Sequence, residues 1–305
     1  MKALVIGFGS IGRRHAEVLA QLGVSVAVVS RRAVDGYRAY PAIENAISDW
    51  LPDYVVVASR TGDHFRDLLA LGDTGFRGRI LIEKPLFEVR HELPRHSFSH
   101  AAVAYNLRFH PLVQRLRRLL DGGGRLLTAT VYVGQYLPGW RPQSDYRDSY
   151  SAHRAQGGGV LRDLSHELDY SHWLFGPWSR LSAIGGRYSD LEIDTEDAFS
   201  LLLSTPRCTA ISVHMNYLDR VPRREITVNT TRHTVRVDLI KGTFEVDGRV
   251  EETVTIERNH TYCAEHRAML SGDTELLCSL ADGLDVVATI EAAEQAAASH
   301  TWIER

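Results

Sequence analysis

"KALVIGFGSIGRRHAEVLAQLG" (residues 2–23) begins with an apolar run that stops at a glycine turn, after which apolar residues recur at helical spacing. Gly7, Gly9 and Gly12 form the pattern G-x-G-x-x-G where the predicted strand meets the predicted helix. The first glycine permits a tight turn, the second lets the backbone approach a pyrophosphate, and the third lets the helix pack closely on the strand. The stretch therefore predicts a dinucleotide-binding turn with contacts from Gly7, Phe8, Gly9, Ser10, Ile11 and Gly12.

Alternation of strands and helices continues through the first third of the chain. Further apolar runs lie at residues 24–30, 54–59 and 78–85, separated by helical or loop segments. Continuous apolar strands are typical of a parallel sheet that is covered on both faces. We therefore predict an α/β protein whose first domain, residues 1–104, is a Rossmann domain with a parallel sheet.

The pattern changes near residue 105, where one helical segment is followed by many short strands joined by turns. The last 45 residues become helical again. For residues 105–305 we predict an α+β domain with a large open, mainly antiparallel sheet, used for substrate binding and oligomerisation. Its predicted strands are "RLLTATVYVGQY", "RLSAIGGRY", "DAFSLLLST", "TAISVHMNY", "REITVNTT", "HTVRVDL" and "ETVTIE".

Composition excludes several classes of protein. A chain of 305 residues that is 44% hydrophobic can form two domains with ordinary cores. Its three cysteines are widely separated and contain no C-x-x-C pair, which indicates neither a disulfide framework nor a metal site. The N-terminal apolar run is too short for a signal peptide or a membrane span. With a net charge of −3 and no nucleic-acid motif, we expect a soluble cytoplasmic protein without membrane or nucleic-acid partners.

The choice between NAD and NADP is predicted from the end of the second strand. An acidic residue there would bind the ribose hydroxyls of NAD, but the chain has Ser30, Arg31 and Arg32. Two guanidinium groups and a hydroxyl suit a 2′-phosphate, so NADP is favoured and NAD stays possible. Two alternatives remain, because these arginines would also be ordinary in a solvated loop, and an arginine near adenine can serve NAD by stacking.

Two further motifs contain residues suited to acid–base chemistry. "EKP" (83–85) follows a strand, so Lys84 should lie at the edge of the sheet where ligands bind, although a surface lysine before a turn proline is the plainer interpretation. "RDLSHELDY" (162–170) spaces Asp163, His166 and Asp169 three residues apart. On one helix these three side chains would share a face, and a carboxylate would hold the imidazole. A capped helix with a polar face explains the same spacing.

The order of several motifs resembles the Gfo/Idh/MocA oxidoreductases, the enzymes related to glucose–fructose oxidoreductase and inositol dehydrogenase. The resemblance covers nearly the whole chain, and its specificity lies in the ordered set rather than in any single motif. The motifs are "VIGFGSIGRRH", "VVVASRTGDHF", "EKP", "YNLRFHP", "GGGVLRDLSHELDY" and "DGLDVVATIEAAEQAAAS".

This resemblance implies that a nicotinamide cofactor exchanges hydride with a carbon of a sugar, cyclitol or related polyol. It implies that Lys84, Asp163 and His166 lie at the substrate, with Asp169 as a second candidate partner for the imidazole. Family members commonly assemble through the open sheet face, which implies a homodimer or homotetramer. Additional cofactor contacts are expected from Ser59, Arg60, His64, Glu83 and Lys84.

The chain departs from the family pattern at three places. Asp163 and His166 are three residues apart, whereas many members have four, as in D-x-G-x-H. With this shorter spacing, Asp163 is expected to be rotated away from the substrate. Asp169 is then the better-placed partner for the His166 imidazole. Arg60 stands where the family often has a proline, and the stretch after Lys84 is shorter than usual.

An anionic sugar is suggested by a local excess of arginine. Residues 106–162 contain nine arginines against three aspartates, with no lysine or glutamate. Three of these arginines, at 115, 117 and 118, lie on a predicted helix and are expected to form its solvated face. Only the loop arginines suggest a sugar phosphate, sugar acid or nucleotide sugar. The expected substrate residues are Asn106, Arg108, Arg141, Tyr146, Arg147 and Tyr150, with Arg154 close by.

Three functions remain open at this stage. The favoured one is an NADP(H)-dependent oxidoreductase acting on a sugar derivative. A redox-neutral enzyme that recycles a bound cofactor, such as an epimerase or a glycosidase, is a second. A non-catalytic NADP(H)-binding regulatory protein is a third, and the presence of both Lys84 and His166 argues against it.

Overall fold

A computed structural model describes residues 1–305. It divides into two compact units, each built from two stretches of chain. The first unit comprises Met1–Phe109 and Glu257–Val287, and the second comprises His110–Ile256 and Ala288–Arg305. The sequence predicted a single boundary after residue 104 and did not predict that the chain returns to the first unit.

The strands are β1 (Lys2–Ile6), β2 (Ser25–Val29), β3 (Arg38–Tyr40), β4 (Tyr54–Val57), β5 (Arg79–Ile82), β6 (His100–Val103), β7 (Leu126–Gly134), β8 (Arg180–Gly186), β9 (Ala198–Ser204), β10 (Ile211–Asn216), β11 (Arg223–Thr230), β12 (Thr234–Asp238), β13 (Thr243–Val246), β14 (Arg249–Thr253), β15 (Cys278–Ser279) and β16 (Ile303–Glu304). The α-helices are α1 (Ser10–Gln21), α2 (Ile43–Trp50), α3 (His64–Asp73), α4 (Pro111–Asp121), α5 (Val160–Asp163), α6 (His166–Phe175), α7 (His260–Ser271) and α8 (Leu280–Ser299). Single 3-10 turns occur at Thr61–Asp63, Asn106–Phe109, Leu137–Gly139, Tyr146–Asp148, Tyr150–Ala152 and Arg154–Gln156. None of the helices combines the length and apolar character needed to cross a membrane.

The first unit contains a seven-stranded sheet in the order β15-β6-β5-β4-β1-β2-β3. All neighbours are parallel except β15, which pairs antiparallel with β6. All four residues of β4 are fully buried, as expected for a strand covered on both faces. The predicted parallel Rossmann sheet is confirmed, and the sequence did not predict β3 or β15, the two shortest strands of this sheet.

The strand order also positions the ligand crevice. In the sheet, β2 lies on one side of β1 and β4 lies on the other. The direction in which successive strands are added therefore reverses between β1 and β4. Ligands of open parallel sheets bind beyond the carboxyl ends of the strands at such a reversal. Gly7 follows β1 there, and Ser59 lies just beyond β4.

The second unit contains a nine-stranded sheet in the order β14-β13-β12-β11-β7-β10-β9-β8-β16. Every neighbouring pair is antiparallel except β7 with β10, so the prediction of a mainly antiparallel sheet is confirmed. Along β7, Ala129 and Val131 are buried while Thr128 and Thr130 are exposed, which leaves one face of the sheet open. The predicted strand at 252–257 begins earlier, at Arg249, and β13 was not predicted.

Candidate functional site

Three glycines shape the turn between β1 and α1, each for a different reason. Gly7 has a φ of +87°, and a Cβ there would lie 2.6 Å from the Ala58 carbonyl oxygen. A Cβ on Gly12 would lie 2.0 Å from the carbonyl oxygen of Gly7. Gly9 has nothing within 4 Å of its Cβ position. Packing within the chain therefore requires glycine at positions 7 and 12, whereas position 9 is open for a ligand.

The same turn has the chemistry to bind a phosphate. The first backbone N–H groups of a helix have no acceptor inside the helix, and they carry its positive partial charge. Gly9 caps α1 without any side chain that would satisfy them, so the N–H groups of Ser10 and Ile11 are available for an anion. Ser59 adds a buried hydroxyl oxygen with no hydrogen-bond partner, at the end of the neighbouring strand. These residues fit a dinucleotide pyrophosphate.

Phe8, inside the glycine turn, lies between an aromatic ring and a cation. Its ring contacts Tyr37 edge-on at a centroid distance of 5.5 Å, and the Arg13 guanidinium lies 4.9 Å from its centroid. Ile11 is half-buried in the first turn of α1. The Tyr37 ring and the Arg13 guanidinium thus hold the Phe8 side chain beside the glycine turn.

The residues after β2 form a local turn with two exposed guanidinium groups. The Ser30 hydroxyl accepts the Arg32 N–H at 3.1 Å and donates to the Arg32 carbonyl at 3.0 Å. The hydroxyl therefore already has one donor and one acceptor within its own turn. Arg31 and Arg32 are exposed, and no carboxylate pairs with either.

His64, expected at the cofactor, is buried among backbone carbonyl groups. Its Nδ1 lies 3.1 Å from the Leu86 carbonyl oxygen, and its Nε2 lies 3.3 Å from the Ser59 carbonyl oxygen. Burial lowers the pKa of this imidazole, so it is neutral at neutral pH and braces the segments after β4 and β5. Arg60, two residues beyond Ala58, is exposed.

Glu83 and Lys84 follow β5 at the same edge of the sheet. The Glu83 carboxylate binds His15 Nε2 at 2.8 Å and accepts the backbone N–H of Lys84 at 3.0 Å. Burial alone would raise the pKa of Glu83, but the hydrogen bond from His15 and the charge of Lys84 hold it below its ordinary value. Lys84 itself is half-buried, and its peptide bond to Pro85 is cis. The carboxylate of Glu83 therefore links His15 on α1 to the backbone of Lys84.

The second unit contains the aspartate and histidine candidates, but not on one helix. Asp163 is the last residue of α5, and the backbone at Leu164 leaves helical geometry with φ −100° and ψ 24°. His166 begins α6. The prediction that Asp163, His166 and Asp169 share one helical face is therefore wrong, and only His166 and Asp169 share a helix. Asp163 and Asp169 are buried, while His166 is half-buried.

Tyr217 lies beyond the end of β10 and was not predicted as a site residue. Its hydroxyl donates to Asp163 Oδ2 at 2.6 Å. Burial and the adjacent Asp163 raise the pKa of Tyr217 well above its ordinary value, so it acts as a neutral donor. The tyrosine ends the predicted strand "TAISVHMNY", where its position looked like that of any core aromatic.

Replacing Tyr217 by phenylalanine should lower the free energy of unfolding by about 1–3 kcal/mol, because a buried carboxylate loses one donor. Urea denaturation of Tyr217→Phe would measure the change, with Tyr188→Phe, an exposed tyrosine, as the control. An unfolding free energy equal to that of the wild type would show that the bond contributes nothing.

Glu196 is a second residue that the sequence did not single out. Its carboxylate is buried against Gly159, where a Cβ would lie 2.2 Å from Oε1. Burial raises the pKa of Glu196, and its Oε1 has no hydrogen-bond partner. Gly159, with φ +115°, therefore makes room for a carboxyl group beside the start of α5.

Carboxylates, most of them distant in sequence, neutralise much of the predicted arginine excess. Each of these arginines has a partner in its own unit: Arg108 with Asp282 (3.2 Å), Arg147 with Asp145 (2.6 Å) and Glu192 (2.9 Å), Arg154 with Glu196 (3.7 Å), and Arg162 with Glu294 (2.6 Å). Arg141 differs, since it is exposed and forms no ion pair. Its guanidinium lies 5.9 Å from the centroid of the Tyr150 ring.

The remaining predicted substrate residues are distributed over both units. In the first unit, Asn106 is buried and donates its amide to Thr261 Oγ1 at 2.9 Å, and Arg108 also reaches the Leu277 carbonyl oxygen at 3.3 Å. In the second unit, the Tyr146 hydroxyl accepts the backbone N–H of Glu192 at 3.2 Å. Tyr146 and Arg141 line a small hollow together with Leu137, Trp140, Ser144, Ser149 and Ser151.

The fold and the glycine turn define a dinucleotide-binding protein of the Rossmann class. Residues 1–96 match the model of an oxidoreductase family with an NAD-binding Rossmann fold, and residues 113–245 match the GFO/IDH/MocA C-terminal domain. The chain belongs to the Gfo/Idh/MocA oxidoreductase family.

Individual relatives agree with this assignment. An uncharacterized oxidoreductase of Synechocystis sp. is 35% identical over 112 residues, a match that spans 34% of this chain and 30% of that protein. Levoglucosan dehydrogenase, solved with NADH and L-sorbose, has a TM-score of 0.86 at 17% identity, with 100% of this chain and 98% of that chain covered. The WlbA dehydrogenase from Bordetella pertussis, solved with NADH and UDP-GlcNAcA, has a TM-score of 0.79 at 20% identity, with the same coverage. The two solved structures establish similarity of fold.

Proposed function

We propose that the protein is an NADP(H)-dependent oxidoreductase that moves hydride between the nicotinamide and a hydroxyl or carbonyl carbon of a sugar derivative. The observation that carries the proposal is the open space over Gly9 at the start of α1, in a chain of this oxidoreductase family. A side chain there would meet nothing of the protein, so a bound pyrophosphate explains why the position is glycine.

The proposed roles follow from the chemistry of each side chain. A bound nicotinamide supplies the hydride acceptor or donor. When an alcohol is oxidised, His166 takes the hydroxyl proton while hydride leaves the same carbon, and Lys84 orients the oxygen and stabilises its developing negative charge. In the reverse direction His166 returns the proton to the new hydroxyl.

Asp169 is the proposed partner of the His166 imidazole. It lies three residues further along α6, where side chains are neighbours on the helix surface. Asp163 precedes the break between the helices and accepts the Tyr217 hydroxyl. We therefore assign Asp163 a supporting role at the start of α6 and keep Asp169 for the imidazole.

NADP is the proposed cofactor because Arg31 and Arg32 are exposed beyond β2 and no carboxylate neutralises them. The structural relatives named above were solved with NADH, so NAD is the alternative. Arg31→Asp should weaken NADPH binding by about 10-fold to 100-fold, which corresponds to one charge-assisted hydrogen bond. It should also improve the relative affinity for NADH.

Fluorescence titration of Arg31→Asp with NADPH and NADH would measure this shift. Arg77→Asp is a suitable control, since Arg77 is another exposed arginine of the first unit and lies away from the glycine turn in the sequence. An unchanged ratio of the two affinities would reject NADP recognition by Arg31.

The proposed substrate is an anionic sugar derivative, a sugar phosphate, sugar acid or nucleotide sugar. Fewer arginines support an anionic substrate than the composition indicated, because Arg147 and Arg154 have carboxylate partners. Arg141 is the loop arginine that keeps an uncompensated charge, and it lies beside aromatic Tyr150. A guanidinium next to an aromatic ring suits a sugar ring with an attached anion.

The experiment that tests this function is a titration of the purified protein with NADPH and NADH, followed by a panel of sugars, sugar phosphates, sugar acids and nucleotide sugars. We expect saturable NADPH binding and oxidation or reduction of one anionic member. Turnover of neutral sugars only would reject the anionic substrate. Binding without a net change in the cofactor's redox state would favour a redox-neutral or regulatory role.

A further inference from the structure

Four buried polar side chains of the first unit form a continuous hydrogen-bonded chain. Tyr54 Oη lies 2.9 Å from His266 Nδ1, His266 Nε2 lies 2.9 Å from His15 Nδ1, and His15 Nε2 lies 2.8 Å from Glu83 Oε1. Tyr54, His15 and His266 are 0% exposed and Glu83 is 7% exposed. The other oxygen of Glu83 accepts the backbone N–H of Lys84. This buried relay joins β4, α7, α1 and the segment after β5.

With both imidazoles neutral, the Glu83 carboxylate fixes every proton in the buried relay. A neutral imidazole has one N–H donor and one nitrogen acceptor, and a carboxylate only accepts. His15 therefore donates from Nε2 to Glu83, and its Nδ1 accepts from His266 Nε2. His266 Nδ1 in turn accepts the hydroxyl proton of Tyr54. The opposite orientation would require a second proton on His15, because the nitrogen that faces the Glu83 carboxylate must still donate.

The ionisation of the other members agrees with this orientation. Burial lowers the pKa of His266 well below its ordinary value. Burial, followed by the charge of Glu265, raises the pKa of Tyr54 well above its ordinary value. His266 is thus a neutral imidazole and Tyr54 an intact phenol near neutral pH. The Tyr262 ring also meets His15 edge-on at a centroid distance of 5.7 Å.

We propose that Glu83 is a positioning residue that orients the buried relay and holds the backbone of Lys84 to the cofactor-binding helix α1. The link is direct, since His15 lies one turn beyond Gly12 on α1 and binds the carboxylate that accepts the Lys84 N–H. This inference rests on the proposed function, in which Lys84 acts on the substrate. Rigid support of this kind fixes the direction of a side chain that must meet a reacting atom.

Glu83→Gln separates this role from simple packing, because it keeps the shape and removes the charge. The glutamine oxygen must stay on the Lys84 N–H, so its NH₂ group faces His15 Nε2. His15 must then carry its proton on Nδ1, and His266 must do the same and donate to Tyr54. The ¹⁵N shifts of the histidine rings report these tautomers. We expect Nε2–H in both histidines of the wild type and Nδ1–H in both histidines of Glu83→Gln.

The catalytic consequence is measured with the substrate identified by the panel. Glu83→Gln should lower kcat at least about 10-fold, with KM changed far less, because positioning affects the transition state more than ground-state binding. Glu17→Gln, an exposed carboxylate on the same helix α1, is the matched control and should keep the wild-type kcat.

Tyr54→Phe tests the far end of the relay. This variant should keep Nε2–H in both histidines and a kcat near that of the wild type, because Glu83 still sets the direction of the hydrogen bonds along the relay.

Each outcome either supports or overturns the proposal. Switched tautomers together with a reduced kcat support it. Tautomers that are mixed in the wild type, or unchanged in Glu83→Gln, overturn the oriented relay. Switched tautomers with an unchanged kcat, in a protein that Lys84→Ala inactivates, overturn the positioning role alone. If Lys84→Ala keeps full turnover, the proposed catalytic role of Lys84 is rejected, and so is the proposal that Glu83 positions it. The tautomers still show, independently, whether the relay is oriented.

Discussion

His166→Ala is expected to lower kcat by about 10²-fold to 10⁴-fold, the usual contribution of a general acid–base residue. The reason is that the hydroxyl proton loses its acceptor while hydride transfer still requires its removal. Lys84→Ala should cause a loss of similar size, since the developing charge on the oxygen loses its cation. Both variants should bind NADPH with nearly wild-type affinity.

Steady-state kinetics and NADPH titration of the same preparations would measure these two effects separately. His172→Ala is the matched control, because His172 is a half-buried histidine on the same helix α6. It contacts Thr289 and has no proposed role in proton transfer. A loss of cofactor affinity in both Lys84→Ala and His166→Ala would remove these residues from the catalytic role.

Two alanine substitutions in the glycine turn should have opposite effects. Gly12→Ala is expected to lower the free energy of unfolding by about 1–3 kcal/mol or more, because its Cβ would lie 2.0 Å from the Gly7 carbonyl oxygen. Gly9→Ala meets no atom of the chain, and the φ of −79° at position 9 suits alanine. It should retain the fold and lose at least about 10-fold in NADPH affinity, since the methyl group obstructs the approach of the pyrophosphate.

Urea denaturation and NADPH titration of both variants would test this pair, and each variant serves as the control for the other. Equal destabilisation by the two substitutions would show that position 9 is also constrained by packing. Wild-type NADPH affinity in Gly9→Ala would mean that the cofactor does not approach the backbone there, which would remove the main support for the proposed function.

The parallel strands were predictable because their signal is local. β4 and β5 are continuous apolar runs, and such runs are buried on both faces of a covered parallel sheet. The glycine pattern was equally readable, since tight turns and close approaches require the residue without a side chain. The helix break at Leu164 was not predictable, because residues 160–175 keep a polar spacing that one continuous helix would also produce.

Partners that are distant in sequence account for most of what was missed. The local excess of arginine gave no indication that Glu192 and Glu294 lie against Arg147 and Arg162. His15 looked like one more residue on the buried face of α1, and His266 lies 251 positions further along the chain. Pairings of this kind depend on tertiary structure, and no periodicity in the sequence encodes them.

The return of Glu257–Val287 to the first unit has a consequence for the synthesis of the protein. During translation the first 109 residues emerge long before α7. Until α7 is synthesised, Tyr54 and His15 lack His266, the residue to which both form hydrogen bonds. A buried polar group without a partner is destabilising, so completion of this unit is delayed until α7 has left the ribosome. Chimeras between relatives would therefore have to exchange both segments together, since a single crossover near residue 109 would separate α1 from the helix on which its buried histidine depends.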